Sequence, residues 1–262
     1  MTTNCLNCDK PLNDKYCSGC GQQADTHRIS FKNFVFHDLL HGTFHIERGM
    51  LFTARQALFR PGKAALDYIS GKRKRYYNVF YLVLLTIGLM LFIRHVDELF
   101  TTDPSAIAEH MPGANEATRR LDDIFSHKSK IILLLFVPFA ALNSFILFRR
   151  KKLNLSEHFI LSGMILLGIL LINTFANVVF LVNQLFLVSY MLLSVLTGAL
   201  VVFYIGYGYY NAFGTDYSKL GISYRLVLFF AFICLELLAL LLVLIGIVTD
   251  WKFGQITIAP FG

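Results

Sequence analysis

The chain has 262 residues, of which 55% are apolar, 15% aromatic and only 16% charged. Soluble domains carry about a quarter charged residues, so this composition excludes an ordinary soluble fold and places the chain among membrane proteins. The net charge of +7 does not by itself imply nucleic acid, because Lys and Arg of membrane proteins gather on the cytoplasmic side.

Residues 1–26 hold Cys5, Cys8, Cys17 and Cys20 in a C-x2-C-x8-C-x2-C pattern. A C-x2-C knuckle presents two thiolates on one tight turn, and two knuckles complete the tetrahedral shell of Zn²⁺. Gly19 and Gly21 flank Cys20 and suit the sharp backbone such turns require. The gap between the knuckles is shorter than the common run of about 15–20 residues, so a minimal zinc ribbon with very short strands is expected. Four cysteines leave no open coordination position, which makes the zinc structural rather than catalytic. Redox pairs or disulfides are the alternatives, and a cytoplasmic N-terminus would keep the thiols reduced. So small a unit folds on its metal, and its expected work is to dock a cytoplasmic protein partner. Lys10 and Lys15 are offset by Asp9, Asp14 and Asp25, a poor footprint for phosphates, so nucleic acid is not an expected partner.

Residues 27–75 read as amphipathic juxtamembrane helices. Phe31, Val35, Leu39 and Ile46 recur at helical spacing, and Met50, Ala54, Ala57 and Leu58 form a second stripe. Pro61-Gly62 ends that stripe, since proline cannot continue a helix, and residues 64–69 make a short piece stopped by Gly71. Such helices suit the membrane interface. The basic run Lys72, Arg73, Lys74, Arg75 favours anionic lipid at about 1 kcal/mol per residue, or serves only as a topology signal. His37, His41 and His45 fall on one helical face near Glu47 and are candidates for a second metal. Their alternative is a set of interfacial histidines, and Gly42 weakens the helix between them.

An ordered set of motifs runs through this half. A CxxC–YCxxCGQ unit from Cys5 to Gln22 leads into Arg28-Ile29. Glu47-Arg48-Gly49-Met50-Leu51-Phe52-Thr53 follows, then Arg60-Pro61-Gly62, then Tyr68-Ile69-Ser70-Gly71-Lys72-Arg73-Lys74-Arg75-Tyr76. Over roughly residues 1–80 this resembles a bacterial family of functionally uncharacterised multi-spanning membrane proteins with an N-terminal zinc ribbon. The resemblance implies zinc and a membrane location, and no reaction. Asp9 stands where such ribbons often carry Gly.

From residue 76 the chain reads as the membrane domain. A bilayer core of about 30 Å needs roughly 20 apolar residues as helix. Five candidates follow, at about 77–93, 131–148, 159–181, 185–209 and 226–248, so the fold class expected is an all-α integral membrane protein. Residues 1–75 hold 12 Lys and Arg against 6 Asp and Glu, while the loop 94–130 holds 5 against 7. Arg149, Arg150, Lys151 and Lys152 fall two helices after the first basic run, and Lys219 and Arg225 two helices after those. Every loop then agrees with a cytoplasmic N-terminus and an outer C-terminus in the bacterial inner membrane. The outer loop 94–130 is long enough for two short helices. Tyr204, Tyr207, Tyr209 and Tyr210 read as an interfacial aromatic belt.

Glu236 is the one ionisable residue expected deep in a span, and such residues are functional candidates. Asn173 and Asn177, one turn apart, are its expected partners. Cys234, in the same span, reads as an inert buried thiol. Three functions compete. The first is a membrane-anchored scaffold or regulator whose ribbon docks a partner. The second is a small transporter or channel using Glu236. The third is an enzyme acting on lipid at the inner interface through His37, His41, His45 and Glu47. No phosphate loop, nucleophile elbow or zinc-protease motif is present in the sequence.

Overall fold

The computed structural model describes residues 4–24, 49–101, 134–183, 189–249 and 251. Among them the chain is all-helical. The order is α1 (Gly49–Phe59), α2 (Pro61–Ile69), α3 (Val79–Thr101), α4 (Leu134–Leu147), α5 (Leu155–Asn183), α6 (Tyr190–Phe213) and α7 (Lys219–Val248). The two pairings outside helices are isolated antiparallel bridges at Asn4–Pro11 and Tyr16–Gln23.

Four stretches are long and apolar enough to cross a membrane: Val79–Asp97, Leu155–Val182, Tyr190–Phe213 and Lys219–Val248. The expected span at 131–148 emerges as a shorter apolar helix, α4, among the described residues. Helix starts explain the other shifts. α5 begins at Leu155 rather than near 159 because Asn154 and Glu157 form a reciprocal cap. Glu157 N donates to Asn154 Oδ1 at 2.9 Å, and Asn154 N donates to Glu157 Oε2 at 2.7 Å, a capping box with Asn as N-cap. α7 begins at Lys219 rather than 226 because Ser218 Oγ accepts from Gly221 N. Arg225 therefore lies inside the helix, where its guanidinium donates to the carbonyls of Leu147 and Gly221.

The core runs through α5, whose Leu161, Met164, Ile165, Leu167 and Leu170 are sealed from solvent. α3, α6 and the two short helices surround it. At one end Phe148 stacks on Phe213 and Tyr209. Tyr217 sits between Arg150 and Arg225, at 4.6 and 4.3 Å from its ring centre, and Lys151 pairs with Asp216 at 3.0 Å.

α1 and α2 pack into this bundle. Gly62 lies directly on α6, where an added Cβ would collide with the Gly208 carbonyl and the Ala212 backbone. Ala57, Pro61, Ala64 and Ala65 are buried in the same seam. Thr53 fastens the base of the pair: its hydroxyl donates to Gly49 O and accepts from Tyr77 N, both at 2.8 Å. Pro61 is the first residue of α2, where its missing N–H costs nothing. The turn it opens with Arg60 is held by α6. Tyr204 donates to Ala57 O, Tyr207 donates to Phe59 O at 2.9 Å, and Asn211 Oδ1 accepts from Lys63 N at 2.9 Å. These groups are orphan carbonyls ending α1 and an orphan amide opening α2. Tyr204 and Tyr207 are thus helix caps supplied from another helix.

Candidate metal centre

Two turns of identical hydrogen bonding bring the four N-terminal cysteines together. In the first, Cys5 N donates to Lys10 O and Asp9 N to Cys5 O; in the second, Cys17 N donates to Gln22 O and Gly21 N to Cys17 O. Asn7 N and Gly19 N each donate to the first sulfur of their turn at 3.4 Å. Asp9 (φ 60°) and Gly21 (φ 71°) occupy the same left-handed place after the second cysteine. The first turn therefore adopts the geometry of the second without glycine, and aspartate is one of the few side chains that tolerates it.

All four sulfurs lie within 4.8 Å of one another, with Cys5–Cys20 at 3.6 Å and Cys8–Cys17 at 3.5 Å. A tetrahedral four-thiolate site with bonds of about 2.3 Å has sulfurs about 3.8 Å apart, so the array is compatible with a metal. No sulfur is in a disulfide. Cys5 and Cys17 are buried. Amides of Gly19 and Cys20 aimed at the Cys17 sulfur pull its thiol down to about 6. At Cys8 the pull of the Lys10 amide is outweighed by burial and by the three neighbouring sulfurs, which push it up to about 12. The bare array thus divides its sulfurs between lowered and raised thiols. A divalent ion at its centre would offset the repulsion that divides them.

The cysteine unit rests on the strap joining α2 to α3, residues 70–78. Gln22 Nε2 donates to Gly71 O at 2.7 Å, and Gln22 Oε1 accepts from Lys74 N at 3.2 Å. Arg75 donates to the Asn7 carbonyl at 3.0 Å. Leu6 covers Gly71, whose φ of +103° and crowding leave no room for a Cβ. Below the strap, Tyr76 donates to Asp67, and burial together with the Asp67 charge pushes its hydroxyl up to about 12. Lys74 and Arg75 thus spend part of their hydrogen bonding on the chain itself.

Residues 47–91 match the family model described as a protein of unknown function, DUF3667. No curated protein and no solved structure matches the chain. The matched block holds α1, α2, the strap and the first half of α3, so it contains the seat of the cysteine unit but not the cysteines.

The polar residues of the bundle pair differently from expectation. Glu236 of α7 accepts from Asn143 Nδ2 of α4 at 2.9 Å. Asn173 and Asn177 lie on α5, half-buried, and do not supply that bond. Sequence reasoning missed a second pair: Ser144 Oγ and His158 Nδ1 lie 2.7 Å apart, both sealed. The signal available was a histidine directly after an acidic cap residue at a helix start. Ser144 Oγ also contacts the Ala141 carbonyl, and the burial of the pair makes it a fastening between α4 and α5. His37, His41, His45 and Glu47 lie outside the described residues, as does most of the loop 94–130.

Proposed function

We propose that the protein is a membrane-anchored scaffold or regulator, with one structural Zn²⁺ held by Cys5, Cys8, Cys17 and Cys20. The observation that supports this most directly is the four-sulfur cluster seated, through Gln22 and Arg75, on a bundle with four candidate spans. In this reading the N-terminus is cytoplasmic in a bacterial inner membrane, α4 is part of a fifth span, and the C-terminus is outside. The face of the zinc unit away from the strap docks a cytoplasmic protein. Tyr16, 61% exposed, stands on the second turn and is available to such a partner. A transporter reading rests on Glu236, whose bond to Asn143 equally serves as an interhelical fastening; membrane bonds of this kind are worth about 1 kcal/mol. The lipid-enzyme reading rests on His37, His41, His45 and Glu47, which lie outside the described residues.

The test is affinity capture from detergent, comparing wild type with the Cys5→Ser, Cys8→Ser double variant and measuring metal on both. The expected result is about one zinc per chain in wild type, none in the variant, and a co-purifying protein lost with the metal. Absence of zinc in both would sink the reading. Two metals per chain would favour the lipid enzyme.

A further inference from the structure

The two short helices before α3 have an unexpected depth. Register with the long helices fixes it. α3 enters its apolar run at Val79, beside Gly163 of α5: an added Cβ there would lie 3.2 Å from Phe80 and 3.8 Å from Val79. α1 begins at the same level, since Gly49 abuts Arg75 O and Tyr77 N and Thr53 holds Tyr77. The end of α1 lies elsewhere. Ala57 meets Tyr204, which itself crowds Gly168, and Leu58 lines one apolar cavity with Leu171, Ile172 and Leu200. Gly168 and Leu171 stand about 8 and 12 Å further along α5 than Gly163. The 11 residues of α1 rise about 16 Å, half of a hydrocarbon core of about 30 Å. α2 then returns, because Gly62 touches Gly208 and Ala212 while Tyr68 and Ile69 pack on Ile160.

The outward face of α1 carries large apolar groups, Leu51 at 84% and Phe59 at 66% exposed. It sits beside exposed apolar side chains of candidate spans, and an apolar cavity of about 450 Å³ opens above Leu58. The charged residues of the pair are Arg55, Arg60, Lys63 and Asp67. Arg55, Arg60 and Lys63 have long stems that can return their charges to the head groups, and Asp67 pairs with Lys72 of the strap at 2.9 Å.

We propose that α1 and α2 form a re-entrant hairpin. It enters the leaflet on the side of the strap, turns inside that leaflet at Phe59, Arg60 and Pro61, and presents Leu51 and Phe59 to acyl chains. This rests on the membrane reading of the four long helices. The hairpin is not a span and reverses no topology, so loop charges carry no trace of it.

Trp251 is the single tryptophan, so Trp251→Phe gives a silent background. Leu51→Trp and Phe59→Trp are made on it, both at outward positions, with Arg55→Trp on the same face as an independent reading. Each protein is reconstituted in phosphatidylcholine vesicles brominated near either the carbonyl or the methyl end of the chain. Phe59→Trp should be quenched best by methyl-end bromines and Leu51→Trp by carbonyl-end bromines, a depth difference of about 12 Å, with Arg55→Trp between. Equal shallow depths would overturn the hairpin in favour of helices lying on the surface. Shielding of Phe59→Trp from both bromines and aqueous iodide would overturn it in favour of a covering protein segment. Leu235→Trp on exposed α7 is the control: if it also escapes bromine, the membrane reading fails with the hairpin.

Discussion

The cysteine unit meets the rest of the chain through polar side chains, whereas the α1–α2 hairpin meets it backbone to backbone. Gln22, Asn7 and Arg75 bridge the first junction. Gly62 against Gly208 and Ala212 makes the second, with tyrosine and asparagine satisfying the helix ends. The difference teaches what each junction tolerates. A polar bridge can lose one arm and leave both bodies folded. A contact with no side chain between the backbones has nothing that can give way.

Gly62→Val should therefore have the largest effect. The new side chain must displace α2 from α6, at a cost of about 3 kcal/mol or more. Thermal unfolding in detergent should fall sharply, and an unchanged transition would show that the close approach is dispensable. Gln22→Ala should cost about 1–3 kcal/mol at the first junction, by leaving the Gly71 carbonyl and Lys74 amide unpaired. Hydrogen exchange should then rise at residues 70–76 while the α5 core stays protected. Zinc content should not change, and its loss would mean that the junction and the metal site are one unit. Asp9→Gly should do least. It relieves a left-handed aspartate but adds backbone freedom to the unfolded chain, a net change under about 1 kcal/mol, read as a small shift in chelator competition.

The cysteine array was legible because its ligands are close in sequence and their spacing is set by the turn. Long apolar helices were legible from length alone, although the caps at Asn154 and Ser218 moved their starts. The two short helices and the Pro61-Gly62 break between them were legible, but their seat in the bundle was not. Their buried face is made of Ala57, Gly62, Ala64 and Ala65, and small residues do not tell which helix they approach. The capping by Tyr204 and Tyr207 was not legible because the carbonyls they cap lie some 150 positions earlier in the chain. Asn143 was passed over as the partner of Glu236 because sequence carries no sign of which helix faces α7.

Gln22 and Gly71 belong to one chain, so their bond forms at an effective concentration set by the connection and not by the amount of protein. A partner arriving in trans that needs the Gln22 face must overcome this local competitor, and dilute partners are excluded from it. In the proposed docking role, the seat on the strap reserves one side of the cysteine unit for the chain itself and leaves the side that carries Tyr16 to a partner.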